Sequence, residues 1–346
     1  MFLERGYCMA RKTKMNSITS PELLEKIHPD NKTLMRDFLD YLRTIGRSEK
    51  TILSYENDLQ IAFVWCLQNN DNKPFTQWTK RKIIAYQYWL MNTNENSPAR
   101  IRRLKASLSS LSNYIEVVLD DEYPGFRNII NKVSNPPLQA VRDKTVWEIK
   151  EIEDLLTQLV EQRSYKKACC VALAAFGGRR KAEICRFRVD DFNKDRLVCD
   201  GALYKSAPIL TKGNKYLECY TLAKRFQPYL DLWMAERERL GIDSAWLFPD
   251  TDDPEQQIQI STLNSWAATF TKMTGRNFYW HSLRHHFVSM LAKAGIPDNV
   301  VVQILGWATA EMFNVYNDNS KDDQLSQYFK DGDISVRKPG EFGDIE

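Results

Sequence analysis

At 346 residues, with 43% apolar and 27% charged side chains, the chain has an ordinary globular composition and enough length for two cores. No apolar run reaches the ~18 residues that a membrane helix needs. The charged start MFLERGYCMARKTKMN lacks the apolar stretch of a secretion signal, so the reading is a cytosolic protein with no membrane partner, with Met9 and Met15 as alternative starts.

Seven cysteines, an odd number without a C-x-x-C pair, argue against a disulfide framework and a zinc ribbon. The net charge of +3 is uneven: residues 1–145 carry 22 Lys+Arg against 16 Asp+Glu, and residues 146–346 carry 26 against 29. A basic first part suits a polyanion such as DNA without naming it.

Residues 1–30 are polar and read as a flexible segment. Leu34, Phe38, Leu42 and Ile45 then recur at helical spacing up to Gly46. A second helix opens at the cap Ser48, a third lies in WTKRKIIAYQYWLMNT, and a fourth opens at Ser97 with Pro98 in its first turn. Residues 31–135 therefore form an all-α domain. Tyr86 to Leu90 reads as core, and Arg100, Arg103 and Lys105 on the fourth helix are candidate phosphate contacts. Pro136-Pro137 marks a linker over 136–146.

The second domain, 147–319, is α+β and mostly helical. Helices at EIKEIEDLLTQLV and KKACCVALAAF, the latter ending at Gly177-Gly178, precede DRLVCD, SAPILT and KYLECYTL, which suggest a small antiparallel sheet. Helices follow at AKRFQPYLDLWMAERERLG, STLNSWAATFTKMTG, HSLRHHFVSMLAKAG, PDNVVVQILGW and TAEMFNVYND. Residues 320–346 hold an amphipathic piece, SKDDQLSQYFKD, and a polar tail.

Three of the four histidines, His281, His285 and His286, surround Arg284 at the start of one helix. His281, Arg284 and His285 share a face, while Leu283, Phe287, Met290 and Leu291 line the other. A cation, an imidazole and a helix N-terminus on one surface suit a phosphate or carboxylate. A metal site on His281 and His285 would set a guanidinium against a dication and lacks a third ligand. A polar helix start with satisfied histidines remains the bland alternative.

Other stretches decide between them. GRRKAE places Glu183 three residues after Arg180, Lys212 sits in a Lys-Gly-Asn turn between two strand candidates, and Tyr316 follows Trp307 across LGWATAEMFNVY. Together with HSLRH, and in this order, these segments resemble the tyrosine recombinase (phage integrase) family over residues 31–330. Tryptophan at 307, where many relatives carry histidine, resembles the Cre-like variant.

The resemblance implies a core-binding (SAM-like) helical domain followed by a catalytic domain, with double-stranded DNA held between them. It implies site-specific cutting and rejoining through a 3′-phosphotyrosyl intermediate, with no metal or other cofactor. Tyr316 would be the nucleophile, Arg180 and Arg284 the phosphate clamp, His281 the proton acceptor, Lys212 the proton donor and Trp307 a hydrogen-bond donor, with Glu183 and His285 in support. It further implies a homotetramer on synapsed DNA, a C-terminal helix exchanged between subunits through Leu325, Tyr328 and Phe329, and a bacterial or phage-encoded, nucleoid-associated role in a mobile element. With about thirty residues before the first helix, short inverted-repeat sites without an arm-binding domain are expected. A silent DNA-binding protein on this fold, and a type IB topoisomerase or telomere resolvase, are the alternatives.

Overall fold

The computed structural model describes residues 18–137, 147–211, 215–307, 329–330 and 333–334. The chain divides into two units, residues 1–143 and 144–346.

The first unit is helical: α1 (Pro21–Glu25), α2 (Pro29–Thr44), α3 (Glu49–Asn69), α4 (Lys80–Asn92) and α5 (Pro98–Val118). The two serine caps form as the sequence suggests. Ser48 Oγ accepts from the Thr51 N–H at 3.3 Å and Ser97 Oγ from the Arg100 N–H at 3.3 Å, each satisfying an orphan donor of the first turn. Phe38, Phe63, Trp65, Tyr86, Leu108 and Leu111 are buried at the centre. Aromatic pairs such as Trp65 and Trp78, 5.5 Å apart and edge to face, add to their area burial.

Two expectations are corrected here. The flexible segment expected through residue 30 is ordered from Ile18 onward: Ile27 is buried and Leu23 and Leu24 pack against the core. Asn72 secures it, accepting from the His28 N–H at 3.0 Å and donating to the Lys26 carbonyl at 2.9 Å. Lys105 is no groove contact. At ~100° per residue it stands about 200° around α5 from Arg103, and it is buried, its Nζ donating to Gln87 Oε1 at 2.7 Å and the Val133 carbonyl at 2.8 Å.

Arg100 and Arg103, three apart, do share a face. Both reach the buried carboxylate of Asp58, at 2.6 and 3.2 Å, and Ser107 Oγ donates to it at 2.8 Å. Asp58 thus spreads two partly exposed guanidiniums on one side of the helix. The expected linker lies, apart from Pro136 and Pro137, outside the described residues.

The second unit is built on α7 (Tyr165–Gly177), buried from Ala168 to its end. Around it lie α6 (Ile149–Glu161), α8 (Lys181–Ile184), α9 (Ala223–Arg239), α10 (Ile260–Thr274), α11 (Trp280–Lys293) and α12 (Asp298–Leu305). Strands β1 (Leu197–Val198), β2 (Leu203–Lys205) and β5 (Tyr220–Leu222) form an antiparallel sheet in the order β1-β2-β5. Strands β3 (Ile209–Leu210) and β4 (Tyr216–Leu217) pair separately, on either side of the segment with Lys212, which lies outside the described residues.

The C-terminal helix expected through SKDDQLSQYFKD is corrected at its end. Phe329–Lys330 is a strand, β6, paired antiparallel with β7 (Asp333–Ile334). The intervening sequence is Asp331-Gly332, a dipeptide favoured at two-residue hairpin turns. Leu325 and Tyr328 lie outside the described residues, as does TAEMFNVYND. No described helix is long and apolar enough to cross a membrane.

Replacing Asp58 by alanine leaves two guanidiniums and a serine without their common acceptor. The first unit is expected to lose about 2–3 kcal/mol, below the full cost of breaking a buried pair because the arginines are partly exposed; urea unfolding of the full chain, followed by hydrogen exchange in Pro98–Val118, measures it.

Candidate active site

Two helix ends build the site. Helix α7 stops at Gly178 (φ +63°), and α12 at Gly306 (φ +62°), both in the left-handed region that favours glycine. Space demands glycine there as well: a Cβ on Gly178 would lie 2.5 Å from Phe287 Cδ1, and one on Gly306 would overlap the Leu217 side chain.

The last carbonyls of a helix have no partner within it. At α12 the Trp307 N–H reaches the Val302 carbonyl at 3.0 Å and the Gly306 N–H reaches Gln303 at 3.2 Å. That leaves the carbonyls of Ile304 and Leu305, and arginines take both: Arg179 Nη2 at 3.1 Å and Arg284 Nη2 at 3.2 Å. The same side chains bind the end of α7, Arg179 Nε donating to the Gly177 carbonyl and Arg284 Nη1 to that of Gly178 at 2.8 Å. Two negative helix ends thus hold two cations.

Glu183 completes the charge balance. Its Oε1 accepts from Arg180 Nη1 at 2.8 Å, its Oε2 accepts from the Arg180 N–H at 3.0 Å, and Arg284 Nη1 lies 3.9 Å from Oε2. Burial would raise the Glu183 carboxyl; Arg179 first, then the Arg180 N–H, Arg284 and the Arg180 guanidinium, overcome this and hold it below the usual range. The guanidiniums differ in access. Arg179 and Arg284 have no exposed surface, whereas 30% of the Arg180 side chain is exposed. Arg180 is therefore open to an anion from solvent, whereas Arg284 is reached only if the site opens.

Helix α11 supplies Arg284 and the histidines. Its position is set by Trp147, whose Nε1 donates to Ser282 Oγ at 2.6 Å, and by Trp280, whose Nε1 donates to the Leu263 carbonyl at 2.6 Å. The helix is buried on nearly every side from Ser282 to Leu291, so the two-faced pattern expected of it is corrected to a central helix. Trp307 is also buried, with the Arg284 guanidinium 5.4 Å from its ring centre. His285 lies edge-on to His281, the rings 5.5 Å apart, and His286 turns away to the Trp147 carbonyl at 2.8 Å.

His281 is the exposed member of the group. Although the residue is exposed, the surrounding protein still partly desolvates its ring. That desolvation first, then His285, Arg284 and Arg180, lower its pKa to about 4, against a smaller upward pull from Glu183. At neutral pH it is an uncharged imidazole able to accept a proton.

Arg180, Glu183, His281, Arg284, His285 and Trp307 are therefore brought together. Lys212 and Tyr316 lie outside the described residues. Arg179 is the participant that spacing passed over; the apolar run KKACCVALAAF directly before it was the signal that it enters the interior. Among the described residues no group of three or more His, Cys, Asp or Glu is placed to hold a metal ion.

The histidine can be tested by NMR titration. In the DNA-free protein His281 should titrate near pH 4 and move upward when a phosphate occupies the site. Its folded pKa lies below the ordinary 6.5, so the unfolded chain takes up the proton first. Stability should therefore fall as pH drops from about 6.5 towards 4, and His281→Gln should remove that part of the loss.

Residues 146–323, a little over half the chain, match the phage integrase family. The SPbeta prophage-derived recombinase-like protein YomM of Bacillus subtilis is 28% identical over 277 residues, covering 78% of each chain. A tyrosine recombinase of Pseudothermotoga lettingae is 26% identical, covering 86% of this chain and 99% of its own. Among solved structures, the XerH site-specific recombinase bound to palindromic difH substrate, a post-cleavage complex, shares the fold with a TM-score of 0.64, 16% identity and 91% of each chain covered. On the residues that match, this chain belongs to the phage integrase family.

Proposed function

We propose that the chain is a site-specific recombinase that cuts and rejoins double-stranded DNA, with Tyr316 as nucleophile. The observation that carries this reading is the meeting of Arg180 and Arg284, more than a hundred positions apart in sequence, at one buried carboxylate beside a neutral histidine.

In the proposed step the Tyr316 oxygen forms a bond to phosphorus as the bond to the 5′ oxygen breaks. The phenol proton passes to His281, and Lys212 gives a proton to the leaving oxygen. Charge gathering on the non-bridging oxygens is met by Arg180 and Arg284. Glu183 orients both guanidiniums, while His285 and Trp307 position His281 and Arg284. The phosphotyrosyl ester retains the energy of the bond it replaces, so rejoining is the reverse reaction. Arg100 and Arg103 would contact phosphates from the first unit, with affinity falling as salt rises.

The reading extends to a homotetramer on paired sites of a mobile element, acting in the bacterial cytoplasm where the nucleoid lies. Removing the residues after Asn319 should abolish cooperative assembly on DNA.

Nicked duplexes cut from the DNA flanking the gene test the chemistry. The unaltered protein should form a covalent adduct, Tyr316→Phe none, and Arg180→Ala an adduct formed about 10²–10³-fold more slowly. Adducts that persist in Tyr316→Phe would place the nucleophile elsewhere. Relaxation of plasmids lacking any special site would favour a topoisomerase.

A further inference from the structure

Arg179 takes no part in the chemistry just described, yet it is wholly buried at the centre of the site. A buried arginine is costly unless its donors and charge are met. Here Glu183 meets the charge and two of the three nitrogens bridge separate helix ends, Nε donating to the Gly177 carbonyl at the end of α7 and Nη2 to the Ile304 carbonyl in the last turn of α12, while Nη1 has no hydrogen-bond partner among the described residues. Its guanidinium also acts on the Cys219 thiol, just beyond the hairpin that brackets Lys212.

The pairing with Arg284 gives this its meaning. Arg284 makes the parallel tie one residue further on, from Gly178 to Leu305. A phosphate that draws Arg284 towards itself weakens that tie. Arg179 is not among the groups assigned to the phosphate, so its tie from Gly177 to Ile304 is the one left to hold the two helix ends.

We propose that Arg179 is a positioning residue for strand cleavage: its tie between Gly177 and Ile304 keeps the end of α12, and with it Trp307, in place while Arg284 engages the phosphate. This rests on the recombinase reading for its activity arm. The tie itself is a property of the DNA-free protein and is tested separately.

The experiment compares the unaltered protein with Arg179→Met and Arg179→Lys. The first removes charge and fork; the second keeps a charge beside Glu183 but offers one ammonium in place of a planar fork spanning two carbonyls. The full chain is labelled with 5-fluorotryptophan, giving nine ¹⁹F signals, of which Trp307 is assigned by Trp307→Phe.

In both variants the Trp307 signal should shift or broaden without DNA. On nicked duplexes both should bind within about twofold of the unaltered affinity yet cleave some 10- to 100-fold more slowly in a single turnover, the scale of a misplaced catalytic group. Unchanged Trp307 signals and cleavage rates would overturn the proposal. So would full recovery in Arg179→Lys alone, which would reduce Arg179 to a counter-charge for Glu183. If Arg179→Met fails to fold, Arg179→Lys carries the test. If the unaltered protein forms no adduct, the recombinase reading fails while the ¹⁹F result still decides the tie.

Discussion

Two guanidiniums without water around them have to be held somewhere, and the C-terminal ends of two helices hold them. The carbonyls of Gly177 and Gly178 on one side, and of Ile304 and Leu305 on the other, take the N–H groups of Arg179 and Arg284. Glu183 supplies the full negative charge that two helix dipoles only approximate. The rest of the second unit serves this arrangement. Glycine at 178 and 306 lets both helices end in the left-handed conformation without filling the space of Phe287 and Leu217. Trp147 and Trp280 fix the helix from which Arg284 projects.

The described arginines are paired before any phosphate arrives, and charges already oriented cost little rearrangement as a transition state forms; this holds for Arg180, whereas Arg284 must first loosen from its carbonyls. The site is thus partly self-occupied. Arg284 already donates to the carbonyls of Gly178 and Leu305, so a phosphate that took their place would gain only the difference between the two sets of partners. Arg180, partly exposed and held at its far side by Glu183, is the natural first contact. Desolvation first, and then the neighbouring His285, Arg284 and Arg180, keep His281 neutral, and an arriving phosphate, being negative, offsets the cationic part of that effect.

What the amino-acid order disclosed follows from how local each cause is. The caps Ser48 and Ser97, the strands around Lys212 and the choice of Arg180 by its spacing to Glu183 depend on residues within one or two turns, and they stand out in the sequence. Lys105 sits on the same basic helix as Arg100 and Arg103, and the sequence groups it with them, whereas the acceptors that bury it, Gln87 and the Val133 carbonyl, come from distant segments. The burial of α11 on both sides, and the role of Arg179, depend on contacts with residues more than a hundred positions away. Phe329 could sit in either a helical or an alternating pattern; Asp331-Gly332 was the local cue for a hairpin.

The most direct measurement is a structure of the full chain on its DNA site with vanadate in place of the scissile phosphate. The expected arrangement has Arg180 and Arg284 on the equatorial oxygens, the Tyr316 oxygen at one apex within hydrogen-bond reach of His281, and Arg284 withdrawn from Leu305. Vanadate bound while Arg284 stays on the Gly178 and Leu305 carbonyls, and Tyr316 remote from the metal, would contradict the account.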